Sequence, residues 1–170
     1  MSGTDPTTPL DRLLAESEIR AVLLRYVRGI DRLDLDLVRS CYHDGATDEH
    51  GSWSGTVDEF CVWVDRILRR YDSTFHLLGN PLVELVGPDL ARVETYGTSY
   101  HRCRGGEPHL NLVTGFRYVD RFECRDGEWR IARRVAVTEW SRRDDEAGWW
   151  EFPDSMRTGQ RDRTDAVYDD

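Results

Sequence analysis

The chain has 170 residues, a formal net charge of −9, and 39% hydrophobic and 32% charged residues. That is enough chain for one domain with its own core, and too apolar for a disordered one. The acidic balance argues against nucleic acid and anionic membranes as partners.

All 23 basic residues are Arg, read first as a coding bias and second as a preference for planar pairing with carboxylates. Cys41, Cys61, Cys103 and Cys124 form no CxxC pair, so no zinc site is expected, and they fit a reducing, cytoplasmic setting. The start of the chain carries no basic-then-apolar signal pattern. No stretch approaches the ~18 apolar residues of a membrane span.

Residues 1–10 are read as a flexible polar leader and 11–140 as one domain. The first helix is expected from Asp11 to Ile30, with Leu14, Ile19, Val22, Leu23, Tyr26 and Ile30 forming a buried stripe. Gly29 and Asp31 mark its stop, and a short second helix follows over Leu33–Cys41. Asp44–Gly55 reads as turn-rich, with strand-like residues only at Thr47–Glu49 and Trp53, and His43 and Asp44 read as helix caps. Thr56 and Glu59 form a capping box that opens a third helix running to about Tyr71.

From Ser73 the period becomes two. Strands are expected at Thr74–Leu78, Leu82–Val86, Arg92–Arg102, Leu110–Glu123 and Glu128–Glu139. Gly79-Asn80-Pro81, Gly87-Pro88-Asp89, Gly105-Gly106 and Asp126-Gly127 supply the turns. Residues 141–170 read as a charged tail with an aromatic anchor at Trp149, Trp150 and Phe152. Helices followed by hairpin-linked strands mean α+β, here three helices packed on a strongly curved, mainly antiparallel sheet that forms a cone with room for a ligand.

Alternation puts Thr74, His76 and Leu78 on one face of their strand and Phe75 and Leu77 on the other. Asp31, just beyond the apolar stripe, can turn inward. Buried alone it would cost several kcal/mol, so it needs a partner such as His76. Tyr26 lies on the stripe. Arg133 and Arg134 point to opposite faces, Arg133 with Ile131, Val135 and Val137, and Arg134 with the small Ala132 and Ala136, where a buried Arg could pair with a carboxylate or hold a substrate oxygen. Tyr42, Asn111, Phe116 and Tyr118, together with Tyr96 and Tyr100, are candidate pocket-lining residues. His43, His50, His101 and His109 are scattered, without HxH or HxxxH spacing, so no metal site is expected.

Arg25-Tyr26 with Asp31, Cys41–Ala46, Gly55, Phe75–Asn80, and Asp126–Arg134 closing on Trp140 fall in an order and spacing that resembles the SnoaL-like families of the nuclear transport factor 2-like superfamily. The resemblance spans about residues 11–140. It implies the cone fold and cofactor-free proton-transfer chemistry, as in that group's dehydratases, dehydrochlorinases and ketosteroid isomerase-like members. It also implies His76, Asp31 and Tyr26 as the catalytic set and Arg134 as a substrate contact. The substrate would be a small cyclic, steroid-like or polyketide-like molecule, and the chain would assemble as a homo-oligomer, a dimer or trimer. On this reading His76, oriented by Asp31, takes a proton α to a carbonyl while Tyr26 steadies the enolate oxygen. A non-catalytic ligand-binding or scaffold protein would instead show Asp31 out of reach of His76, or a cone filled by side chains. A polyketide cyclase or epoxide hydrolase would need an Asp–Arg–Asp set, which is not evident in the sequence.

Overall fold

A computed structural model describes residues 8–103, 111–144 and 150–169. The Gly105-Gly106 turn, His109, Leu110 and Trp149 lie outside the described residues.

Helix α1 spans Pro9–Arg32 and starts two residues before the expected position because Thr8 and Asp11 form a reciprocal capping box. Its end also differs from expectation. Leu33, at φ 54°, takes the left-handed capping conformation, and Gly29 serves packing instead. A Cβ on Gly29 would meet the Val38 side chain at 2.7 Å and the Asp34 carbonyl at 3.0 Å. Helix α2, Leu35–Ser40, is capped by Asp34 and crosses α1 at that point.

The segment read as turn-rich is a hairpin. Strand β1 is Tyr42–His50 and β2 is Trp53–Thr56. Its turn needs Gly51 at φ +64°. His43 and Asp44 therefore belong to a strand and cap no helix. The His43 Nε2 lies 2.8 Å from the Glu123 carbonyl, and exposed Asp44 pairs with Arg39. Helix α3, Val57–Leu68, starts on the expected Thr56–Glu59 box.

Strands β3 (Ser73–Leu78), β4 (Leu82–Leu85), β5 (Leu90–Arg102), β6 (Leu112–Arg125) and β7 (Glu128–Arg143) complete the sheet. The order is β2-β1-β7-β6-β5-β3, with β4 continuing along the β3 edge of β5. All pairings are antiparallel except β1 with β7. The sheet is curved and unclosed, and the helices pack on its inner face. Ile19, Val22, Leu23, Tyr26 and Ile30 of α1, Phe60, Val64 and Leu68 of α3, and Val93, Phe116, Tyr118, Phe122 and Ile131 of the sheet share one core.

A bulge in β7 breaks simple alternation. Arg121 of β6 pairs with Arg133 but Phe122 pairs with Ile131, so Ala132 is the extra residue. Trp129 and Ile131 point inward before it, and Arg134 after it. Arg133 is consequently on the outside and does not share a face with Ile131. It pairs with Glu49 on the surface.

The tail differs from the expected anchor. Trp150 and Phe152 are exposed. Contact with the domain is made by Arg161, which donates to the Leu68 and Tyr71 carbonyls at 2.9 and 2.5 Å, by Asp165, which pairs with Arg32, and by Tyr168, whose hydroxyl donates to Asp34.

Candidate active site

The end of α1 and the start of β3 meet at Asp31. Its Oδ1 lies 2.7 Å from His76 Nδ1 and accepts from the Thr74 hydroxyl at 2.9 Å, and its Oδ2 accepts from the His76 backbone N–H at 2.9 Å. The alternation that turns Phe75 and Leu77 outward, both more than half exposed, turns Thr74 and His76 toward the carboxylate. A carboxylate only accepts, so His76 Nδ1 carries a hydrogen, and in the neutral ring the lone pair is then on Nε2. Both side chains are nearly buried, at 8% and 13% exposure.

His76 lines a cavity of about 220 Å³ between the sheet and the helices. Tyr26 and Ile30 reach it from α1, Trp63, Val64 and Ile67 from α3, Ser99 and His101 from β5, Phe116 and Tyr118 from β6, and Ala136 from β7. The expected catalytic set His76, Asp31 and Tyr26 is thus brought together at one end of the core, and Phe116 and Tyr118 line the cavity as read from the sequence.

Three of the expected substrate contacts lie elsewhere. Arg134 is fully buried and gives Nε and Nη2 to the two oxygens of Asp120 at 2.8 and 2.7 Å. Its guanidinium is sandwiched between Tyr118 and Tyr26, 3.9 and 4.2 Å from their ring centres. It is walled off from the cavity and stands behind the tyrosines, because the partner that claims it sits on the adjacent strand. Tyr42 is sealed too, its hydroxyl donating to Asp48 Oδ2 at 2.6 Å. Asn111 accepts from the Cys103 backbone N–H and does not reach the cavity. Tyr96 is exposed on the convex face.

Asp48, Arg134 and Asp120 are direct neighbours across β1, β7 and β6. An acid–arginine–acid set therefore exists, contrary to the sequence reading, yet none of its members lines the cavity. Burial pushes the Asp120 carboxyl up, opposed by Arg134. Burial also pushes the Tyr26, Tyr42 and Tyr118 hydroxyls up, so these tyrosines are held as neutral hydroxyls.

Two cavity groups escaped the sequence reading. His101 packs edge-on to His76 at 5.6 Å, and burial lowers its imidazole to about 3, so it is neutral. His50, at the end of β1, has its Nδ1 3.1 Å from Asp48 Oδ1 and lines the cavity beside Trp63 and Tyr118. The signal for His50 was its spacing from Asp48, since residues i and i+2 of a strand share a face. It is lost because the strand-like pattern stops at Glu49, one residue short of His50.

A SnoaL-like domain model matches residues 11–135. No curated protein sequence matches the chain. Among solved structures, hexachlorocyclohexane dehydrochlorinase LinA-type3 from Novosphingobium barchaimii LL02 is 19% identical with a TM-score of 0.73, over 86% of this chain and 99% of that one. A protein from Novosphingobium aromaticivorans DSM 12444, provisionally assigned as a scytalone dehydratase, is 18% identical with a TM-score of 0.72, over 85% of this chain and 100% of that one. Rv3472 from Mycobacterium tuberculosis, of unknown function, is 23% identical with a TM-score of 0.66, over 79% and 78%. At these identities the likeness is one of fold, and with three helices on a curved, unclosed sheet and a family match across most of its length, the chain belongs to the SnoaL-like domain family of the nuclear transport factor 2-like superfamily.

Proposed function

We propose that the protein is a cofactor-independent proton-transfer enzyme, a lyase of the dehydratase type or an isomerase, acting on a small cyclic carbonyl compound of polyketide-like character. The observation that carries this reading is the 2.7 Å contact between Asp31 and His76 Nδ1 in the wall of an internal cavity. It leaves Nε2 as the ring nitrogen free to act as a base toward the cavity. The dehydrochlorinase and dehydratase names among the structural neighbours agree with elimination chemistry.

His76 Nε2 takes a proton α to the substrate carbonyl, and the resulting imidazolium is stabilised by Asp31. In this reading Tyr26, a neutral hydroxyl at the cavity wall, donates to the enolate oxygen. Arg134, stacked on Tyr26 and held by Asp120, fixes that ring without touching substrate. Return of the proton to a different carbon gives isomerisation, and loss of a β-hydroxyl gives dehydration. A cavity of about 220 Å³ is below the roughly 300–1,000 Å³ of sites for drug-sized ligands. It suits one or two rings and disfavours a four-ring steroid.

Two further expectations stand as part of the proposal. A cytoplasmic location is supported by four cysteines that no disulfide joins. No helix among the described residues is long and apolar enough to cross a membrane. Homo-oligomerisation is supported by Leu77, Tyr96 and Trp140, exposed together on the convex sheet face.

The test is dehydration of 3-hydroxycyclohexanone, followed through the ultraviolet absorbance of the enone. His76→Gln is expected to cut turnover by about 10²–10⁴-fold while leaving the fold intact. Turnover at the wild-type rate in that variant would remove His76 as the base.

A further inference from the structure

The cavity holds a second imidazole built like the first. Asp48 is fully buried, with both oxygens engaged: Oδ2 accepts from Tyr42 at 2.6 Å and Oδ1 lies 3.1 Å from His50 Nδ1. As with Asp31 and His76, the carboxylate claims Nδ1 and leaves Nε2 as the atom available to the cavity. His50 is a quarter exposed, at 28%, so it sits at the cavity margin where protons exchange with solvent.

The sheet order sets the two histidines apart. His50 is on β1 and His76 on β3, with β7, β6 and β5 between them. The rings between them are Phe116, 6.2 Å from His76, and Tyr118, 4.6 Å from Phe116 and 6.2 Å from His50. Across β7, His50 and Tyr118 both pair with Ala136, a residue small enough to leave the space between His50 and the cavity open. Two anchored imidazoles thus line one cavity from separate walls, with aromatic faces between them against which a flat ring can lie.

We propose that His50 is a second catalytic residue of this site, the general acid that protonates the departing oxygen, with Asp48 and Tyr42 as the residues that position it. The inference rests on the reading of His76 as the base and specifies the substrate class as β-hydroxy carbonyl compounds. His76 Nε2 takes the α-proton, and the C–H electron pair forms the new C=C bond. The Cβ–O bond breaks with its pair going to oxygen, and that oxygen takes the proton from His50 Nε2 and leaves as water. His76 is then protonated and His50 neutral, and transfer of one proton from His76 to solvent and from solvent to His50 restores the starting state. Asp48 offsets the charge on His50 while it holds the proton, and Tyr42 fixes the carboxylate so that the ring cannot rotate away.

The experiment compares two probes, 3-hydroxycyclohexanone and 3-acetoxycyclohexanone. Hydroxide is a poor leaving group and needs the acid, whereas acetate departs without a proton. In His50→Gln the side-chain amide keeps a donor for Asp48, so the buried carboxylate stays partnered and the fold is preserved. His50→Asn provides an independent second variant. The rate ratio of hydroxy to acetoxy probe is expected to fall about 100-fold in His50→Gln, and Asp48→Asn is expected to lower the same ratio. An unchanged ratio in folded His50→Gln and His50→Asn would overturn the assignment, whether or not the absolute rates change. His76→Gln is expected to slow both probes together. If it slows neither, the base assignment fails, an outcome separate from any result at His50.

Discussion

Asp31 holds His76 at two points, accepting from its ring through Oδ1 at 2.7 Å and from its backbone N–H through Oδ2 at 2.9 Å. One carboxylate thereby fixes both the ring orientation and the position of β3 against the end of α1. Orientation of the His76 ring and attachment of a strand are the same interaction.

Asp31→Asn tests that coupling. The amide can supply only one accepting atom where the carboxylate supplies two, so its NH₂ must face either the His76 N–H or the ring and Thr74 hydroxyl. With the NH₂ toward the ring, Nδ1 must accept and the hydrogen moves to Nε2, which then cannot take a proton from substrate; with the NH₂ toward the backbone, it clashes with the His76 N–H and loosens β3. Turnover is expected to fall by about 10²–10⁴-fold, with a stability loss of about 1–3 kcal/mol. Steady-state kinetics and urea unfolding of the purified variant check the two numbers.

Arg134 is expected to act through stability and through Tyr26, since it is walled off from the cavity. Removing one partner of a buried, bidentate ion pair leaves the other charge unpaired. Arg134→Leu is therefore expected to cost about 3–5 kcal/mol, and adding Asp120→Leu is expected to return much of that loss. Denaturant unfolding of the single and double variants measures it.

His101 gives the fold a dependence on pH. Its imidazole is lowered from 6.5 to about 3, first by burial and second by His76. The folded state therefore binds this proton less readily than the unfolded chain. The associated stability is complete above about pH 6.5 and is lost as pH falls toward 3. Between pH 7.5 and 4.5 the loss from this group is about 2–3 kcal/mol. His101→Leu, which cannot titrate, is expected to lose that much less than the wild-type protein when urea unfolding is compared at the two pH values.

The convex face carries Leu77, Tyr96 and Trp140 beside Arg117, which is held by Glu94 and Glu139. The wild-type chain is expected to sediment as a dimer or trimer through this face. Leu77→Arg combined with Trp140→Arg is expected to shift it to monomer, as read by analytical ultracentrifugation.

The elements legible in the sequence are those whose signal is local. Thr56 and Glu59 announce α3 by their three-residue spacing, the apolar period marks α1, and alternation around His76 places it on the inner face with Thr74. The resemblance then supplied Asp31 as its partner. The rest depends on pairings distant in sequence. Strand β1 was hidden because Gly45, Asp44 and Asp48 look like turn residues, and what makes Tyr42–His50 a strand is parallel pairing with β7, some 85 residues on. With only Thr47–Glu49 strand-like, Asp48 and His50 share no face and Arg134 has no neighbour on that side. The carboxylate that claims Arg134 is not legible because the Ala132 bulge and the Asp120 opposite Arg134 belong to the register of β6 with β7, which no single-strand pattern carries.

The measurement that bears most directly on His76 as the base is exchange of the α-protons of cyclohexanone for deuterium, followed by proton NMR in D₂O, because it isolates proton removal from any leaving group. The wild-type protein and His50→Gln are both expected to accelerate the exchange, and His76→Gln to leave it at the rate of buffer alone. Exchange by His76→Gln at the wild-type rate would contradict the account.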